Sequence, residues 1–177
     1  MNYRLFRTPA AVSLVILFLC FSADSAQNPS SSTDKSSPHG KESAVTAHAT
    51  GTFEVKMEPQ SEEKTEGANL GRISLSKQFH GSLEGSSKAE MLTAMTSVKG
   101  SAGYVAIERF TGTLDGRTGT FVLQHSGTMK RGLPQLMITI VPDSGTEQLT
   151  GLSGKMTVEV SGEKHSYDFE YTIEAAH

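Results

Sequence analysis

The chain has 177 residues and a formal net charge of −3. With 36% hydrophobic and 20% charged residues it has the composition of a single globular domain, which rules out a disordered chain and a polytopic membrane protein. The mild negative charge argues against a nucleic-acid partner, because sequence-independent binding needs a basic surface. Seventeen glycines favour many turns and therefore many short strands.

Residues 1–25 read as a secretory signal peptide. Arg4 and Arg7 precede an apolar run, Val12 to Phe21, broken only by Ser13, and small or polar residues follow. The run is shorter than the ~20 residues a membrane span needs. Cleavage after Ser25 puts Ala23 and Ser25 at the small-residue positions. Cys20 follows the bulky Leu19, a poor fit to a lipoprotein signal, so it is read as part of the discarded apolar run. The expected protein is exported, periplasmic or secreted, with no membrane span after signal removal. Anchoring by the signal or by a lipid is the alternative. The mature chain then lacks cysteine, which excludes disulfides, thiolate metal sites and a cysteine nucleophile.

Residues 26–47 are Ser-rich and carry almost nothing to bury, so they read as a disordered linker. The folded domain is expected over 48–177.

From Ala49 onward the apolar pattern has period two. Phe53, Val55 and Met57 alternate with polar residues, as do Ile73, Leu75 and Phe79, then Met156, Val158 and Val160, then Tyr167, Phe169, Tyr171 and Ile173. Eight strands are predicted, over 49–58, 70–80, 83–97, 101–114, 118–129, 135–141, 151–160 and 164–173. The third has a helical alternative around Ala89–Met95, but its flanking glycines favour a strand. Pro59–Asn69 reads as a charged loop. Asp115-Gly116 is a strong hairpin turn, and Pro142–Gly145 and Ser161–Lys164 are two more turns. Consecutive strands joined by short turns predict an all-β, eight-stranded antiparallel barrel, since closure removes both sheet edges. A sandwich is the alternative. A barrel of this size has its interior filled by side chains or holds one small ligand.

The segment from Lys99 to Met129 resembles an uncharacterised bacterial family of unknown function. So do Lys77–Gly81, Val141–Thr146, Gly151–Gly154 and His165–Tyr171. The resemblance spans roughly Ala49 to Ile173. It implies a barrel similar to that of allene oxide cyclase, often oligomeric, with a partly apolar cavity. The plant cyclases isomerise a fatty-acid epoxide inside such a barrel, and none of their catalytic residues is carried over to this chain. The resemblance therefore implies a fold and no activity. Most family members resemble cytosolic proteins, and the signal and linker set this chain apart.

No metalloprotease, nucleophile-elbow or phosphate-loop motif is present. Ser74-Leu-Ser-Lys77 matches Ser-x-x-Lys by chance, because its companion motifs are missing. His125 shares a strand face with Phe121 and Leu123, where an imidazole can serve as base, acid or ligand-orienting donor; a structural histidine bonded to a carbonyl is the plainer reading. Glu108 shares a face with Tyr104, Ala106 and Phe110, and apolar neighbours there are expected to raise its pKa. If Val105 and Ile107 face inward instead, Glu108 points out, and the pattern leaves this open. Tyr104, Tyr167 and Tyr171 are ligand-binding candidates, each an apolar ring with one hydroxyl, and His80 beside the turn at Gly81 is a fourth. Core packing and a polar surface turn are their plainer readings. His80, His125 and His165 have no spacing that calls for a metal, and no cofactor is expected.

The functional expectation is an exported barrel holding a small, largely apolar ligand. The alternatives are a cyclase-like isomerase or hydrolase using Glu108 and His125 as an acid–base pair, and a barrel that self-assembles into a homo-oligomer through its exterior. Whether the chain is an enzyme stays open at this point.

Overall fold

The period-two pattern folds as the sheet rule requires, with alternate residues of every strand turned to one interior. The computed structural model describes residues 46–174, so the proposed signal and all but the end of the proposed linker lie outside the described residues. The strands are β1 (Ala47–Lys64), β2 (Ala68–Gly81), β3 (Leu83–Thr96), β4 (Ala102–Leu114), β5 (Arg117–Lys130), β6 (Leu133–Ile140), β7 (Leu152–Ser161) and β8 (Lys164–Ile173). Each pairs antiparallel with the next, and β1 also pairs with β8, which closes the barrel. The ambiguous third segment is a strand throughout.

The expected charged loop is instead the tip of the first hairpin. β1 runs to Lys64 and stays paired with β2 as far as Lys64↔Asn69, leaving a turn of only three residues. A register shift between Pro59 and Ser61 leaves Gln60 as the extra residue, directly after a proline that is paired with Ile73 but has no N–H to give to the ladder. The segment reads as a loop because it has no apolar face. Its strand form comes from backbone pairing to β2. The predicted turn at Asp115-Gly116 does form: both residues have positive φ (47° and 79°), as a type I′ hairpin demands.

One half of the interior is filled. Phe79, Phe110, Phe121 and Phe169 are fully buried and form a chain of ring contacts across the barrel, with centroids 4.9–5.9 Å apart. Leu83 and Leu114 pack with them, and so does Leu149, from a 3-10 turn (Glu147–Leu149) between β6 and β7. Each such side chain contributes roughly 1.5–3 kcal/mol by leaving water, and ring pairs add about 0.5–1.5. A domain without a disulfide among its described residues rests on this block.

The seams are unequal. β2 and β3 hold register over twelve positions, whereas β6 and β7 pair only at Ile138↔Met156 and Thr139↔Lys155. Beyond the second hydrophobic cluster of Ile73, Met91 and Ala106, the other half of the interior is incompletely filled, and the candidate site lies there.

Candidate functional site

Strand parity places the site. On β4, Tyr104, Ala106, Glu108 and Phe110 point inward, while Val105 and Ile107 are more than half exposed. That settles the facing of Glu108. On β2 the inward series Ile73, Leu75, Lys77, Phe79 brings in a lysine, and on β3 the series Leu83, Ser87, Ala89, Met91 brings in a serine. On β5 the same parity turns His125 inward, opposite Ala106.

Three of these side chains meet on the carboxylate of the fourth, Glu108. Glu108 is fully buried. Lys77 Nζ donates to its Oε2 at 2.6 Å, and Ser87 Oγ donates to its Oε1 at 2.5 Å. His125 Nε2 lies 2.9 Å from Oε2, within ion-pair distance, yet this buried nitrogen makes no in-line hydrogen bond. Lys77 is also held against two aromatic faces, with its ammonium 4.9 Å from the Phe53 ring centre and 5.8 Å from that of Phe79.

The electrostatics reverse one expectation. Burial is the largest influence on Glu108 and by itself raises its pKa. The Lys77 charge, the His125 contact and the hydrogen bond from Lys77 together outweigh it, and the pKa is pulled down to about 2. Glu108 is therefore a carboxylate at neutral pH, suited to accept hydrogen bonds and orient His125 rather than to donate a proton.

Above this cluster is a cavity of about 130 Å³. Side chains with polar atoms enter its lining only at Lys77, Tyr104, Glu108, His125 and His165; the rest is aliphatic, methionine and phenylalanine. Leu136 and Ile138 of β6 and Val158 and Val160 of β7 line it beside the short seam. His165 stacks on Phe53, with ring centres 5.1 Å apart. The Tyr104 ring lies over Gly127, where a Cβ would sit 2.2 Å from the ring. The glycine is what lets the ring lie flat on β5.

Of the sequence candidates, Glu108, His125 and Tyr104 come together at this cavity. Tyr167 and Tyr171 sit in the filled half. The Tyr167 hydroxyl accepts from the Leu83 N–H at 2.8 Å, and the Tyr171 hydroxyl donates to Asp115 at 2.7 Å. Burial first, then the Asp115 carboxylate, raise the Tyr171 pKa to about 12. His80 is on the exterior, 3.3 Å from Glu84. Sequence reasoning missed Lys77 and Ser87. Their signal was parity: each interrupts an apolar series on an inward face. Among the described residues no three His, Cys, Asp or Glu side chains are grouped to hold a metal ion. Nor is any described helix long and apolar enough to cross a membrane, which says nothing about strands.

Fold and site define a class: a closed eight-stranded antiparallel barrel, half packed, with an apolar cavity floored by a lysine–glutamate–histidine cluster. Residues 49–171 match the family model described as a protein of unknown function (DUF3224), and the chain belongs to that family. It is 47% identical to a solved structure from Shewanella oneidensis MR-1, described as a protein with unknown function from the same family. That likeness covers 74% of this chain and all of the other, with a TM-score of 0.70. No curated protein matches the chain.

Proposed function

We propose that the barrel binds a small, largely apolar ligand in its cavity, with the ligand's polar group against Lys77, Glu108 and His125. The observation that carries this reading is the buried charge cluster itself. Taking an ion pair out of water costs several kcal/mol per ion, and apolar residues of similar volume are often no less stable. Here the cluster borders an apolar cavity, the usual composition of a ligand pocket. Native mass spectrometry on protein purified from its own source tests the reading. A retained small molecule that is lost on His125→Ala or Lys77→Met supports it. Protein that is empty from its own source and takes up no small apolar compound in NMR titration refutes it.

A second reading, a cyclase-like isomerase or hydrolase, draws support from the 2.9 Å approach of Glu108 to His125. In it the ionised Glu108 orients the imidazole, and His125 moves the proton. A third, self-assembly, draws support from Leu92, Val105 and Ile107, which are exposed apolar neighbours on β3 and β4. Sedimentation at micromolar concentration separates it from a monomer.

We also read the protein as exported, from Arg4, Arg7 and the apolar run that follows them. The N-terminal sequence of the mature protein tests this.

A further inference from the structure

We infer that the cavity selects a neutral, ring-sized molecule carrying a hydrogen-bond acceptor, of the carbonyl class, and seats that acceptor on the ammonium of Lys77. This inference rests on the ligand-binding reading above and names the ligand class for the same site.

The size follows from the volume. A dry apolar cavity of about 150 Å³ takes up benzene. At about 130 Å³ this one accommodates a six-membered ring, with room towards the rim for a substituent. A long chain is not enclosed.

The head group follows from counting donors and acceptors. Among the described residues Glu108 is the only carboxylate in the lining, and it is already served by Lys77, Ser87 and the close approach of His125. Little acceptor capacity remains for a ligand donor. Lys77 has three N–H groups, and its one hydrogen bond is the 2.6 Å contact to Glu108. The Lys77–Glu108 pair thus offers the cavity donors and almost no acceptors.

The charge preference follows from the pair. Lys77 and Glu108 cancel, so this pair holds no surplus charge to offset the desolvation of an ionic ligand. A carboxylate ligand on the ammonium meets the Glu108 carboxylate, whose Oε2 lies 2.6 Å from Lys77 Nζ. An ammonium ligand meets the lysine itself. A ketone or similar neutral carbonyl meets neither penalty.

The test is a set of four ring probes titrated into full-length wild-type protein by NMR: cyclohexanone, methylenecyclohexane, cyclohexanecarboxylate and cyclohexylammonium. Methylenecyclohexane has the shape of the ketone without its acceptor. The double variant Lys77→Met, Glu108→Gln removes the ammonium without leaving a buried charge unpaired. The affinity ratio of ketone to methylenecyclohexane is expected to fall by about tenfold in the double variant, as befits a hydrogen bond to a charged donor. Both ionic probes are expected to bind more weakly than the ketone. In wild type, nuclear Overhauser contacts are expected from the α-protons of the ketone to the Lys77 side chain, and this measurement needs no variant to fold.

An unchanged ratio, or ketone contacts only to rim residues such as Met57 and Leu136, overturns the acceptor assignment while leaving the cavity reading intact. Preferred binding of either ionic probe overturns the neutrality. Failure of all four probes to bind overturns the ring-sized ligand class, and only if the protein from its own source is also empty does the ligand-binding reading fall with it.

Discussion

Lys77 and Glu108 stand on strands separated by β3, yet their charged atoms are 2.6 Å apart across the inner face of the sheet. Both are almost completely buried, at 11% and 1% side-chain exposure. Barrel curvature makes the contact. Lys77 is in register with Ser87, and Glu108 is in register with Ala89, one inward position along β3. The small Ser87 and Ala89 side chains leave the space between the two charges open. Removing only one partner is therefore severe. Lys77→Met leaves a buried carboxylate without its cation and is expected to cost roughly 3–5 kcal/mol. The double variant Lys77→Met, Glu108→Gln is expected to recover a large part of that loss. Urea unfolding of the two single variants and the double variant measures the coupling directly.

The same carboxylate gives the fold a pH dependence. Its folded pKa of about 2 lies below the ordinary value of 4.5. A depressed pKa means that the unfolded chain binds the proton first as pH falls. The stabilisation is thus complete above about pH 4.5 and is lost on descending towards 2. Urea midpoints of wild type are expected to fall through this window. Glu108→Gln, less stable at pH 7, is expected to fall less, so that the two curves converge near pH 2. Parallel curves across the window count against this account.

How much of this was legible in advance depends on which physical rule governed each residue. Period-two alternation marks an inward face wherever one face is apolar, so the strands and their closure could be read from Phe53, Phe79, Phe169 and their neighbours. The first hairpin tip reads as a loop because Gln60–Lys64 has no apolar face, and backbone pairing alone carries no composition signal. Glu108 and His125 were legible as polar residues in apolar series. Lys77 obeys the same rule, but the Ser74-Leu-Ser-Lys77 pattern it ends carries no meaning by itself. Its partnership with Glu108 is a product of sheet curvature, which no local pattern encodes. Tyr167 and Tyr171 share the alternation of cavity residues but lie past the Phe block, and depth along the barrel axis is invisible to parity.

Gly127 and Tyr104 supply a packing test. An alanine at 127 puts its methyl group 2.2 Å from the Tyr104 ring, so the ring must move off β5 and into the cavity. Gly127→Ala is expected to destabilise by about 1–3 kcal/mol, the usual range for overpacking. Adding Tyr104→Ala relieves the clash, so the double variant is expected to be more stable than the sum of the single effects predicts. Thermal unfolding of the four proteins checks this non-additivity.

The short β6–β7 seam predicts where the barrel opens. Leu133–Met137 and Thr157–Ser161 have no register partner across it, whereas β2–β3 and β3–β4 are paired over nearly their whole lengths. Local opening follows missing ladder bonds. Amides of β6 below Ile138 and of β7 beyond Met156 are expected to exchange much faster than those of β3. Hydrogen-exchange mass spectrometry resolves these peptides. If a cavity ligand enters here, saturation with it slows exchange at Leu136 and Val158, which line both the seam and the cavity. Uniform protection around the barrel contradicts the prediction.

Strand parity on β4 yields the last test, because adjacent residues there meet opposite solvents. Ile107 is 52% exposed and Ala106 is 7% exposed, with Met91 and His125 in register beside the alanine. Ile107→Lys places its charge in water and is expected to change stability by no more than about 0.5 kcal/mol. Ala106→Lys forces a long cation into the cavity beside the Lys77–Glu108 pair, already neutralised, and is expected to cost several kcal/mol or prevent folding. Circular dichroism with urea unfolding distinguishes the outcomes. The exposed substitution also tests self-assembly. If Leu92, Val105 and Ile107 bury one another across two copies, Ile107→Lys leaves the fold unchanged while shifting sedimentation from oligomer to monomer, because an unpaired lysine in an apolar interface costs far more than one in water. A wild type that sediments as a monomer leaves the two lysine variants as a pure measure of strand facing.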